Sequence, residues 1–313
     1  MDPIFWKSKI ILAKSETDYA QDAGPTGALN AMLMTDVQIQ PMEGEDVSRN
    51  LERPYMGAQE ELPTALRVVI TGSVELVGSG TPGVAPAWAP ILRACGVAQI
   101  VTAGTSVEYV PVTEGHESVC MHLQIGPWRH VLLGGRGTAV ITCTAQGIPV
   151  ARVTMTGLFV RPSDQARPTN VIVAGFQGPQ VATKQNTPGL TIGGQPFIMR
   201  AFELNLACDV QPRMLVGFEG ILIVDRKDTL TVTVQAVPYA SYNPFAVAED
   251  RTRQVVELRH GTVAGRRVQV ACGQTQQRRP GGIENNQNIA EWALQFTPLP
   301  SDAGNDQWKI TIT

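Results

Sequence analysis

The sequence predicts a mainly β protein, and three observations carry the prediction. Apolar and polar residues alternate with period two along many short segments, the pattern of antiparallel strands with one buried face. Thirty Gly and 22 Pro in 313 residues provide the turn chemistry that many short strands need. Only two segments combine helical spacing with a start and a stop signal.

Met34–Gln40 is the first predicted strand. In Arg67–Val77, Val68, Ile70, Val74 and Leu76 share one face, and Arg67, Thr71, Ser73 and Glu75 the other. Ser106–Val110, Val119–Ile125, Thr138–Thr144 and Ile148–Val160 follow. In Phe202–Val210, Phe202, Leu204, Leu206 and Cys208 oppose Glu203, Asn205 and Asp209. Met214–Asp225 leads to Leu230–Val237, where Leu230, Val232, Val234 and Ala236 alternate with Thr231, Thr233 and Gln235. Arg267–Ala271, Glu291–Thr297 and the run from Trp308 to Thr313 close the set. The polar faces are rich in Thr, Ser, Gln and Asn, so they can meet water without a greasy patch.

The first predicted helix spans Pro86–Cys95, with Pro in its first turn, Trp88, Ile91, Leu92 and Cys95 at helical spacing, and Gly96 as a stop. The second spans Asn243–His260, with Asn243 as N-cap, Pro244 at the first position and Arg259 and His260 before Gly261. The helix starts lie about half a chain apart, and each half has long alternating strands, one helix, then more strands. This order predicts two tandem β-sandwich or barrel domains with one helix each, residues 1–165 and 198–313, joined by a linker at 166–197. One segment, Pro41–Pro63, is polar, acidic and long for a connection. It is expected to be an extended loop that serves as a docking arm.

A formal charge of -3 argues against a general nucleic-acid binder, which needs a basic face. Five cysteines without a CxxC pair, most inside apolar strand patterns, are expected to be buried reduced thiols. The Ile10–Ala13 run is too short for a signal peptide core, and no stretch approaches membrane-span length. A soluble protein made in the cytoplasm is expected.

Catalytic patterns do not hold. Gly78, Gly80 and Gly83 form GxGxxG, but Pro82 removes an N–H from that loop and the preceding strand is half polar. His116, His122 and His130 are spaced unlike ligands on one element, so no metal is expected. Gly134–Gly137 lacks the Lys and Ser/Thr of a phosphate loop, and no GxSxG elbow occurs. No cofactor and no enzymatic activity are predicted.

The stretch Leu66–Ile100 joins an alternating strand, a Gly-Ser-Gly-Thr-Pro-Gly turn and a Trp-containing helix ending in Gly. It resembles the hallmark of tail tube (major tail) proteins of long-tailed bacteriophages. Leu133–Val160, Phe202–Asp225 and Gly282–Thr313 are similar to later sections of that family. The resemblance implies a structural virion protein of a non-contractile tail, made in the host cytoplasm. Rings of such subunits join hairpins into one intersubunit β-barrel, and the rings stack into a channel for double-stranded DNA. The implied partners are further copies of the chain, in a trimer with pseudo-sixfold symmetry or a hexamer, and other tail proteins at the tube ends. Contact with DNA would be transient and non-specific, because the family's lumen is acidic and does not hold phosphates.

Carried onto this chain, the lumen candidates are Thr71, Ser73 and Glu75, then Glu203, Asn205, Asp209, Glu219, Asp225, Thr231 and Thr233. Arg67 would be awkward there unless paired. Ring-stacking candidates are Glu43, Glu45, Asp46, Arg49, Arg53 and Tyr55, and lateral-packing candidates are Trp88 and Leu92. A capsid, decoration or tail-tip subunit, or a β-sandwich binding module, shares the composition and stays open as an alternative.

Overall fold

The computed structural model describes residues 3–313. Strands hold 51% of the chain and helices 5%, so the chain is mainly β. The first half runs through β1 (Lys9–Ser15), α1 (Gly27–Asn30), β2 (Ala31–Met32), β3 (Thr35–Ser48) and β4 (Glu61–Glu75). After α2 (Ala89–Arg93) come β5 (Val97–Thr102), β6 (Ser106–Pro111), β7 (Val119–Ile125), β8 (Trp128–Thr144), β9 (Val150–Phe159) and β10 (Ser163–Asp164). The second half begins with β11 (Gly189–Ile192), β12 (Gln195–Phe197), β13 (Met199–Asn205), β14 (Cys208–Leu215), β15 (Phe218–Arg226) and β16 (Thr229–Gln235). After α3 (Pro244–Glu249) come β17 (Arg253–His260), β18 (Val268–Gln277), β19 (Ile283–Asn286), β20 (Ile289–Pro298) and β21 (Lys309–Ile312).

Eight strands form one antiparallel row, β3-β4-β9-β8-β13-β16-β20-β19. Each half supplies four of them in the same order: an antiparallel pair, then the two strands of a later hairpin reversed; in the second half β14 and β15 come between the strands of the first pair. The halves meet where β8 pairs β13, from Ala201 opposite Thr144 to Asn205 opposite Val140. A second row runs β12-β11-β17-β18-β21-β6-β5. It too crosses between the halves, because β21 pairs both β18 and β6. One hydrophobic cluster fills the inside, from Ile11 to Ile312, and contains Trp88, Trp292 and Trp308. Two ladders and this shared core therefore cross the boundary at which separate domains were expected.

The glycines that imitate phosphate loops have structural work. Gly134 adopts φ +60 at a bulge between Leu133 and Arg136, which turns β8 from its partner β7 towards β13. Gly78 lies so close to the Gly265 carbonyl that a Cβ would sit 2.1 Å from its oxygen.

Three expectations are corrected. The second helix ends at Glu249 rather than His260. Asn243 caps it as expected, its Oδ1 accepting from Phe245 N at 3.1 Å and Ala246 N at 3.3 Å. From Arg253 period two takes over: Val256, Leu258 and His260 are buried, while β-branched Val255 faces out. Pro41–Pro63 is not a loop throughout, since β3 extends to Ser48 and β4 starts at Glu61. Polar residues on both faces hid the strands, because neither face is buried there. The linker 166–197 is also partly sheet: β11 pairs β17 and carries buried Leu190 and Ile192.

Candidate functional site

The polar faces of the eight-stranded row lie in register. One line of directly opposed residues reads Glu75, Val150, Thr142, Glu203, Thr231 and Gln295 across β4, β9, β8, β13, β16 and β20. The next line reads Ser73, Arg152, Val140, Asn205 and Thr229. A third joins Gln38, Thr71, Thr154 and Thr138. Thr233 opposes Ala201 and Ala293 further along the same face. Seven of the ten lumen candidates, from both halves, thus share one face. Opposite it, Ile70, Val74, Ile141, Phe202, Leu204, Val232 and Leu294 are buried.

This face is short-chained and sparsely charged. Arg67 lies on it as well and is paired, its Nη2 donating to Glu43 Oε1 at 3.0 Å across the hairpin. Arg152 is an exposed cation that the sequence reading did not single out, although β9 alternates clearly: Ala151, Val153 and Met155 are buried and Arg152 and Thr154 exposed. Beyond Arg67, β4 loses its β9 partner and the β3–β4 hairpin continues alone. Glu45, Asp46, Arg49, Arg53 and Tyr55 are exposed on this arm, and Glu43 is half-buried at its base. Met42, Val47, Leu51, Met56 and Leu62 are exposed there too, an apolar content that a purely solvated loop does not need.

Asp209, Glu219 and Asp225 are not on the shared face, which corrects their assignment. They belong to the β14–β15 ribbon, a separate two-stranded sheet in which Asp209 directly opposes Asp225. The alternation that starts in β13 is broken at Leu206–Ala207, where Ala207 takes φ +39 and its N–H donates to Asn205 Oδ1 at 2.8 Å. The ribbon is docked back on the body: Arg136 Nη1 donates to the Ile221 carbonyl at 2.7 Å, and Ile221 N donates to Tyr19 Oη at 2.6 Å. Trp88 and Leu92 are corrected as well. They are 1% and 3% exposed inside this chain's own core and cannot pack on another subunit.

Where the ribbon rejoins β16, buried Asp228 accepts from Trp308 Nε1 at 3.0 Å and from Gln307 Nε2 at 3.1 Å. Burial raises its carboxyl above the usual range against these hydrogen bonds. All five cysteines are free and buried, and burial pushes the Cys272 thiol up to about 12. No helix among the described residues is long and apolar enough to cross a membrane. No family model matches the chain, and comparison with curated proteins gives no match either.

Proposed function

We propose that the chain is a structural subunit that assembles in rings around a channel, the tail tube protein of a non-contractile phage tail. The observation that carries this reading is the mostly polar face shared by both halves, on a row with an open edge at each end. Among the described residues β3 pairs only β4, and β19 pairs only β20, so each has one unpaired edge. Open edges of this kind invite pairing with another chain. Joining β19 of one copy to β3 of the next repeats, between chains, the β8–β13 join found within one. The contact is head-to-tail and closes into a ring when the rotation is right.

Strand arithmetic favours three copies. At about 4.8 Å between strands and a tilt of about 40°, 24 strands close at a backbone diameter of about 48 Å. Side chains reduce this to about 35–40 Å, wide enough for a duplex of about 20 Å. Two copies would leave about 20 Å, with no clearance. The face that would look inward has short hydroxyl side chains, two carboxylates among its registered lines and one free arginine, so passing phosphates find few cations to hold them. The β3–β4 arm, with its exposed apolar residues, is the element proposed to reach the next ring.

A single cysteine tests which way the face looks. Thr154 is exposed at its centre and the native cysteines are buried, so Thr154→Cys provides one reactive thiol. In the unassembled protein a bulky polymer-linked maleimide should label it fully. In assembled tubes labelling by the bulky reagent should fall at least about tenfold while a small maleimide still reacts. Equal labelling by the bulky reagent in both states would place the face outside and refute the reading.

A further inference from the structure

Two of the buried side chains on β7 form a cluster that the polar face does not use. Cys120 and His122 are two residues apart and point the same way from the strand. Cys120 is 0% exposed, and the His122 side chain is 7% exposed. Asp22, from the β1–α1 connection, reaches over both. Its Oδ1 lies 3.0 Å from His122 Nε2 and 3.3 Å from Cys120 Sγ, and the three ligand atoms all fall within 4.8 Å of one another. His130 and His116 are not part of the cluster.

The spacing is close to that around a small tetrahedral cation. With zinc bonds of about 2.0 Å to nitrogen or oxygen and about 2.3 Å to sulfur, neighbouring ligands lie about 3.3–3.5 Å apart. A thiolate, an imidazole and a carboxylate are also the donor types such an ion takes, and the mixture of soft and borderline donors disfavours magnesium and calcium. The loop that brings Asp22 is fixed on both sides. Glu16 accepts from Ala20 N at 3.0 Å, Ser118 Oγ at 2.6 Å and Gly134 N at 2.7 Å, and Lys14 Nζ donates to the Ala23 carbonyl at 2.8 Å. The Asp22 side chain is 44% exposed, which leaves a path from solvent for the ion and room for a water as fourth ligand. A cavity of about 90 Å³ lined by Leu12, Pro25, His122 and Arg129 adjoins the imidazole.

We propose that Asp22, Cys120 and His122 bind one zinc-class divalent cation, which clamps the β1–α1 connection onto β7. Binding replaces the hydrogen bonds to Asp22 with bonds to the ion and releases the thiol proton to solvent. The site does not depend on the tube reading.

Cobalt(II) is the probe, titrated into the metal-free full chain. The expected result is one equivalent bound, with a thiolate-to-cobalt charge-transfer band and the intense visible bands of tetrahedral cobalt, both bleached by zinc. Cys120→Ser should abolish the charge-transfer band. Asp22→Asn, a change at a half-exposed position that leaves the core intact, should weaken binding by about tenfold or more. Failure of the wild type to show the thiolate band would overturn the proposal. So would a cobalt affinity unchanged in Asp22→Asn, read from the titration of the band, which decides the matter even if Cys120→Ser does not fold.

Discussion

Deleting Asp46–Gln59 should leave a folded chain that no longer polymerises. In the intact arm Glu45 opposes Thr64 and Ser48 opposes Glu61. The deletion removes the far end of the hairpin and joins Glu45 to Glu60, leaving Glu60–Pro63 as a four-residue connection below the last retained pair. Hairpins accept connections of that length. No residue in the deleted stretch is in the core: Val47, Leu51, Tyr55 and Met56 are all exposed. The fold therefore loses little, and any large effect must come from contacts between molecules. Far-ultraviolet circular dichroism should match the full chain, while sedimentation should show only single rings or smaller species. Full-length tubes formed by the deletion variant would remove the arm from ring stacking.

Trp308→Ala should cost about 3–5 kcal/mol, the range for emptying a large buried aromatic site. Trp308 is 0% exposed and immediately precedes β21, the strand that pairs with β18 of its own half and β6 of the other. Its loss also deprives the Asp228 carboxylate of its indole donor, leaving Gln307 as the remaining side-chain partner. The damage falls on the seam, so both halves should lose stability together. In urea the midpoint should drop in a single transition with an unchanged slope, followed by fluorescence and by circular dichroism. Two transitions, of which only one moves, would show that the halves fold independently.

The strands were legible wherever one face is buried and the other wet. Leu230, Val232 and Val234 against Thr231 and Thr233 are enough to define β16 and to say which residues share a face, although Thr233 is itself buried. Alternation therefore groups residues within one strand, whereas the ten lumen candidates were brought together by the family resemblance, and the ladders place seven of them on one face. Alternation says nothing about partners, however, and the β8–β13 ladder that brings Thr142 opposite Glu203 is a tertiary fact. The same limit explains the ribbon. Asp209 continues the alternation of Glu203 and Asn205, but the turn at Ala207 moves it to another sheet, and Ala is not a residue that announces a positive φ. The outer arm has no strand signal in the sequence because strands without a buried face have no apolar period. The first helix is shorter than the predicted Pro86–Cys95: it spans Ala89–Arg93, with Trp88 as its N-cap and Leu92 on its buried side, and a buried position inside one chain and a contact between chains have the same composition. The Asp22–Cys120–His122 cluster needed the fold, since Asp22 is almost 100 residues from Cys120.

Ring closure is tested most directly by electron microscopy of the purified full chain. End-on class averages should show hollow rings or stacked tubes with a channel at least about 20 Å wide, the clearance a duplex needs. They should show threefold density with a sixfold appearance, because each copy contributes two similar four-strand sets to the wall. Uniform monomers at high concentration, or closed shells, would contradict it.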